Sequence, residues 1–197
     1  MEQKKTLSAD YFKKVYDAND DPWNFESSNY EAEKYEATIA ALPKKEYAEA
    51  LEIGCSIGVL TKLLAKKCGS LLATDVSEKA LEKARVRCQE LKNVNFQWSN
   101  FAEKLPDIDY DLIMISEVAY YLTSEDWQSN LKLLFKKLKL NGNIVLVHWL
   151  PEVHDYPQTG DEVHDTFERL MHDDLVNVFN SRAENYRIDV WEKAGNG

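Results

Sequence analysis

The chain has 197 residues, 44% of them hydrophobic and 29% charged, and a formal net charge of -10. These fractions are those of a soluble globular protein large enough to bury a real core, and the negative balance argues against a nucleic-acid partner, whose phosphates demand a basic surface. No apolar run approaches the roughly 20 residues of a membrane span and the N-terminus lacks an apolar signal region, so a cytoplasmic protein with no membrane partner is expected.

The first stretch reads as helical: Ser8–Tyr16, a polar turn with Asp21-Pro22-Trp23, then Tyr30–Leu42, which Pro43 ends. From there short apolar runs alternate with amphipathic ones, the pattern of βαβ units and a mostly parallel sheet. The spacing predicts strands at Glu49–Ile53, Ser70–Asp75, Val94–Trp98, Tyr110–Ser116 and Gly142–Trp149, with helices at Gly58–Lys67, Ser77–Leu91 and Ser124–Leu140 between them. In the last helix Trp127, Leu131, Leu134, Phe135 and Leu138 recur at helical spacing and should face the sheet. Asn141-Gly142-Asn143 closes it, with Gly142 the expected left-handed residue. A polar loop (Pro151–Asp161), a helix near Glu162–His172 and the segments Leu175–Asn180 and Asn185–Glu192 follow. The final segment alternates as an edge hairpin would, while Leu175–Asn180 also fits a short helix. With no repeat or linker, one domain over residues 1–197 is expected. The cysteines Cys55, Cys68 and Cys88 show no paired spacing and read as reduced thiols.

Three features carry chemistry. In Glu52-Ile53-Gly54-Cys55-Ser56-Ile57-Gly58 a strand gives way to a helix through a glycine-bearing loop, where the backbone can approach a ligand. The acid Glu52 at the strand end would repel a phosphate and favours a neutral or cationic ligand; among nucleotide-like cofactors S-adenosyl-L-methionine fits best. A plain tight turn is the bland alternative. The early final glycine departs from the Gly-x-Gly-x-x-Gly pattern, which disfavours a nicotinamide oxidoreductase. Asp75 ends the next strand about 20 residues past the first glycine, where an acid can accept ribose hydroxyls, although it also precedes a helix N-cap. The run Asp109–Leu122 delivers Ser116 and Glu117 to the carboxyl edge of the sheet, where ligands bind in doubly wound folds, and Tyr120 and Tyr121 follow at once, as binding or packing residues.

Together these resemble the motifs of class I S-adenosylmethionine-dependent methyltransferases. With Asp21-Pro22-Trp23, Tyr30-Glu31, Lys34-Tyr35, Ser116–Leu122 and Val147-His148-Trp149, the chain resembles in particular the nodulation N-methyltransferase (NodS-like) family over residues 10–192. The resemblance implies a doubly wound, seven-stranded, mostly parallel sheet of order 3-2-1-4-5-7-6 with helices on both faces, a Rossmann-like core over residues 46–197 and an N-terminal helical lid over residues 1–45. It implies that Glu52, Gly54, Ser56 and Gly58 line the methionine part of the cofactor, that Asp75, with Val76 behind it, holds the ribose, that Asn100 and Phe101 meet the adenine, and that Ser116 lies at the cofactor-binding strand tip. Asparagine at 100, where an Asp or Asn is usual, would act through its carbonyl, and Ser56 stands where a glycine is usual.

Trp23 and Tyr35 could then close over the sulfonium, since an aromatic face suits a cation, and Tyr11 and Tyr16 lie on a plausible lid helix. His148, at the tip of the fifth strand, is a candidate base for an amine nucleophile, with Glu117, Tyr120 or Tyr121 orienting the acceptor and relaying a proton. His154, Asp155, Asp161, His164 and Asp165 read as a mobile, substrate-facing loop without metal-ligand spacing, so no metal is expected. The expected reaction is N-methylation of an amino sugar or similar amine on a small-molecule or oligosaccharide acceptor, by a monomer or weak dimer. The rivals are O-methylation of a small hydroxylated metabolite and a non-catalytic adenosyl-ligand binding module.

Overall fold

A computed structural model describes residues 4–103 and 107–195. Seven strands, β1 (Tyr47–Ile53), β2 (Cys68–Asp75), β3 (Val94–Trp98), β4 (Tyr110–Ser116), β5 (Leu138–Trp149), β6 (Val176–Arg182) and β7 (Tyr186–Glu192), form one sheet in the order β3-β2-β1-β4-β5-β7-β6. The first five pair in parallel; β7 pairs antiparallel with both β5 and β6. Leu175–Asn180 therefore contributes to a strand and not to a helix. Helices α1 (Ala9–Ala18) and α2 (Asn29–Ala40) precede the sheet; α3 (Val59–Leu64), α4 (Glu78–Arg87), α5 (Ser124–Lys137) and α6 (Gly160–Met171) connect its strands.

The central strands are apolar on both sides because each side packs under helices. Leu51, Ile53, Ile113, Ile115, Ile144 and Leu146 meet Trp127, Leu131 and Phe167 of α5 and α6 on one face. Ala50, Leu112, Met114, Val145 and Val147 meet Leu60, Leu64 and Tyr35 on the other. Trp127 is fully buried and its indole N–H donates to Val163 O at 3.1 Å, tying α5 to α6. Serine or threonine side chains start most helices by accepting from the first turn: Ser8, Ser28, Ser77, Thr123 and Thr159, the last with Glu162 in a reciprocal capping box.

The junction of α5 and β5 differs from the sequence expectation. The helix stops at Lys137, because Leu138 pairs with Tyr110 of β4 and is already strand. The left-handed residue is Asn141 (φ 59°), not Gly142. Gly142 is required for space instead, since a Cβ there would lie 2.8 Å from Lys139 O. Phe135 is only half-buried and carries the Lys193 ammonium 3.9 Å from its ring centroid. No helix among the described residues is long and apolar enough to cross a membrane.

Candidate active site

The carboxyl ends of β1, β2 and β4 converge on a cavity, and α1 and the turn before α2 close over it. Its floor is the loop after β1. Gly54 takes φ +76°, and a Cβ there would lie 2.0 Å from Val118 Cγ2, so only glycine allows the two loops to meet. The Gly54 and Cys55 amides both donate to Thr74 O, at 2.8 and 2.9 Å. Ser56, at φ 49°, holds a left-handed conformation that costs a non-glycine residue about 1 kcal/mol. Its N–H donates to Asp75 Oδ2 at 2.9 Å and its hydroxyl sits 2.5 Å from the Tyr16 hydroxyl of α1, so the loop is pinned from both sides. Gly58 takes φ +81° and serves another purpose than lining the cavity. It starts α3, and a Cβ there would come within 3.0 Å of the Ala84 backbone, so it sets the approach of α3 to α4.

Of the residues anticipated for the cofactor, Trp23, Tyr35, Glu52, Gly54, Ser56, Asp75, Val76, Asn100, Phe101 and Ser116 all line this cavity, as do Glu117 and Tyr121. Gly58, Tyr120 and His148 do not. Glu52 is 2% exposed and its Oε2 has no hydrogen-bond partner; burial pushes its carboxyl up to about 7. Asp75 accepts from Ser77 N through Oδ1 (2.8 Å) and from Ser56 N through Oδ2, and burial pushes it up to about 6 against those bonds. Each of its oxygens keeps acceptor capacity for a ligand. Asn100 donates to Glu103 Oε1 and accepts from Ala102 N, which turns its amide along the loop. Phe101 is held edge-on to Trp127, and Val76 O accepts from the Trp98 indole. The aromatic cover is continuous: Tyr16 meets Trp23 edge-on, Trp23 stacks on Phe25 with centroids 5.5 Å apart, and Phe25 leans on Tyr35.

The far end of the cavity is organised around a residue not expected among the site residues. Lys34 of α2 is 1% exposed, and its ammonium bonds Glu117 Oε1 at 2.5 Å and Glu31 at 3.0 Å. Burial disfavours its charge, but Glu117 and Glu31 outweigh that and hold its pKa above the usual lysine value. The other Glu117 oxygen accepts from the Tyr120 hydroxyl and from Trp149 N at 3.0 Å. Glu117 thus sits at φ 58° with both oxygens occupied. Tyr120 is buried among Tyr121, Tyr156 and His148 rather than facing the cavity. The i,i+3 spacing of Glu31 and Lys34 on α2 is the one local signal for this pair; the second carboxylate on Lys34, Glu117, comes 83 residues later.

His148 is placed where it cannot serve as a base toward the cavity. It is fully buried, and its Nε2 lone pair already accepts from Ala119 N at 3.1 Å. Burial drives its pKa well below the usual histidine value. Its Nδ1 lies 3.1 Å from Nε2 of His164, which is itself fully buried on α6 and no part of a mobile substrate loop. Among the described residues no group of three or more His, Cys, Asp or Glu is arranged to hold a metal ion.

The family profile of nodulation protein S (NodS) matches residues 5–149. The nodulation protein S of Bradyrhizobium diazoefficiens is 33% identical over 107 residues, covering 53% of this chain and 51% of that protein, so the chain spans about half the length of the relative it matches. Phosphoethanolamine N-methyltransferase 3 of Arabidopsis thaliana is 28% identical over 121 residues, 60% of this chain and 25% of that protein. Among solved structures, N-methyltransferase NodS from Bradyrhizobium japonicum in complex with S-adenosyl-L-homocysteine superposes with a TM-score of 0.82 at 20% identity, covering 96% of this chain and 100% of that one. The chain belongs to the NodS family and carries the Rossmann-like fold of S-adenosylmethionine-dependent methyltransferases.

Proposed function

We propose that this protein is an S-adenosylmethionine-dependent methyltransferase that methylates an amine on a small molecule or sugar. One observation carries the reading: among the described residues of the cavity lining there is no lysine or arginine, and two carboxylates, Glu52 and Asp75, keep acceptor capacity there, while the third, Glu117, is neutralised by Lys34. Such a cavity repels phosphate and attracts a ligand with positive charge. The cofactor supplies a methyl group already activated on a sulfonium. Glu52, whose buried oxygen lacks a partner, would take the cofactor's ammonium, and Asp75 its ribose hydroxyls. Val76, Asn100 and Phe101 would enclose the adenine, while Gly54, Ser56 and Ser116 would lie along the methionine part. Trp23 and Tyr35 would present aromatic faces to the positive centre.

What the chain adds to such a reaction is chiefly alignment and exclusion of water. Residues 4–45 form the cover, within one domain with the sheet. Glu117, fixed by Lys34, Tyr120 and Trp149, would orient the acceptor nitrogen, and Tyr121 would wall its approach. The names of the relatives support an amine over a hydroxyl acceptor.

Isothermal titration with S-adenosylmethionine, S-adenosylhomocysteine and NAD, followed by methyl-transfer assays on amino sugars, deacetylated chito-oligomers, phosphoethanolamine and hydroxyl-bearing analogues, tests the reading. Binding of the two adenosyl ligands with transfer to an amine is expected. Transfer to hydroxyls alone would make it an O-methyltransferase. Binding without transfer to any acceptor would make it an adenosyl-ligand binding module, and tighter binding of NAD would overturn the cofactor.

A further inference from the structure

Behind the loop that bears Glu117 and Tyr121 runs a buried chain of polar groups with no part in the reaction described above. Ala119 N donates to His148 Nε2 at 3.1 Å, His148 Nδ1 lies 3.1 Å from His164 Nε2, and His164 Nδ1 lies 2.7 Å from Asp189 Oδ2. Arg187 Nε meets the same Asp189 oxygen at 2.9 Å and reaches Asp165 on α6. Both rings are fully buried and Asp189 is 1% exposed. The two ends dictate what lies between. A backbone N–H can only donate, so His148 Nε2 carries no proton; a neutral imidazole then has its proton on Nδ1 and donates to His164 Nε2. His164 must in turn carry its proton on Nδ1 and donate to the carboxylate, which can only accept. The chain therefore has one direction, from Ala119 to Asp189, and every link depends on the others.

Its upper end is the first residue of the short 3₁₀ turn Ala119–Tyr121. That turn adjoins Val118, whose Cγ2 fills the space above Gly54, and Glu117, whose backbone is in a left-handed conformation. Moving Ala119 would thus move both a wall of the cofactor cavity and the acceptor-side carboxylate. The Tyr120 ring stacks edge-on against His148, 5.2 Å between centroids, so the same histidine also backs the tyrosine that bonds Glu117.

We propose that His148, His164 and Asp189 are positioning residues: a one-directional hydrogen-bond chain that fixes the Glu117–Tyr121 loop from behind. Its catalytic consequence rests on the methyltransferase reading, whereas the chain itself does not. Long-range nitrogen-15 correlation spectra of the whole protein at about pH 7 should show both His148 and His164 neutral and protonated on Nδ1. A proton on His148 Nε2 would overturn the proposal, whatever the variants do.

His148→Leu should speed amide exchange at Ala119 about 10-fold or more, while the central strands stay protected. His148→Gln, which carries a carbonyl at the reach of Nε2, should restore most of that protection. With a methylated acceptor in hand, His148→Leu should lower kcat between about 10- and 100-fold, the scale for misplacing a reacting group by an ångström. S-adenosylhomocysteine affinity should change less than about 3-fold, and His148→Gln should recover most of kcat. Unchanged exchange at Ala119 in His148→Leu, or equal kcat in the Leu and Gln variants, would refute the proposal. A wild-type protein that transfers no methyl group would instead count against the methyltransferase reading, and the spectra and exchange rates would still decide the chain.

Discussion

The two ends of the cavity solve opposite electrostatic problems. At the β1 and β2 end, Glu52 and Asp75 are buried with acceptor capacity left over and no cation beside them among the described residues of the cavity lining. At the β4 end, Glu117 is partly buried with both oxygens satisfied, by Lys34 on one side and by Tyr120 and Trp149 on the other. Burial of an unpaired charge is costly. The first end therefore needs a positive ligand to complete it, and the second is complete in the free protein. One end is built to receive charge, the other to hold shape.

The sharpest way to break this contrast is to remove the internal countercharge. Lys34→Met leaves the buried Glu31 and the partly buried Glu117 without their partner, and truncating one member of a buried pair costs on the order of 3–5 kcal/mol. Urea unfolding should show a loss of that size, partly recovered when Glu117→Gln is added. A loss below about 1 kcal/mol would mean that the β4 end is open to water and not internally neutralised.

A smaller effect is expected at the other end. Asp75→Ala should weaken S-adenosylhomocysteine binding by about 1–3 kcal/mol in calorimetry, the scale of a hydrogen bond to a charged group. Unaltered affinity would remove Asp75 from the ribose role and leave it as the staple between Ser56 N and Ser77 N.

The same contrast explains what could be read from the chain in advance. Strands β3 and β4 fall on Val94–Trp98 and Tyr110–Ser116, as their alternation and apolar runs indicate, because those signals are local. Glu52, Gly54 and Asp75 were legible for a similar reason: each sits at a strand end, and the glycine punctuates the turn. Lys34 was not, because what makes it notable is burial against a carboxylate 83 residues away. His148 was visible as a strand-tip histidine, yet its chemistry depends on His164 and Ala119, which no spacing rule brings to it. The α5–β5 junction failed in the same way: Leu138 continues the helical spacing, and pairing with Tyr110 overrides it.

The open end should also announce itself through pH. Glu52 and Asp75 sit at about 7 and about 6 in the free protein, above their ordinary values near 4, because burial disfavours their charge. Between about pH 4 and pH 7 the folded protein then binds protons that the unfolded chain has lost, so these two groups make stability fall as pH rises through that window. A ligand ammonium at Glu52 and ribose hydroxyls donating to Asp75 both favour the ionised carboxylates, and the ammonium stays protonated below about pH 7.7. Affinity for S-adenosylhomocysteine should therefore climb as pH rises from about 5 to about 7, by at most about tenfold per unit for each group, and level off above. At about pH 6, binding should release protons, measurable as a heat that varies with the ionisation enthalpy of the buffer. Glu52→Gln should weaken binding and flatten most of the slope. His148 and His164, neutral and locked at the closed end, should contribute nothing to it. An affinity independent of pH, or proton uptake on binding, would show that Glu52 does not meet the ligand's charge nor Asp75 its hydroxyls, and the contrast between the two ends would fail.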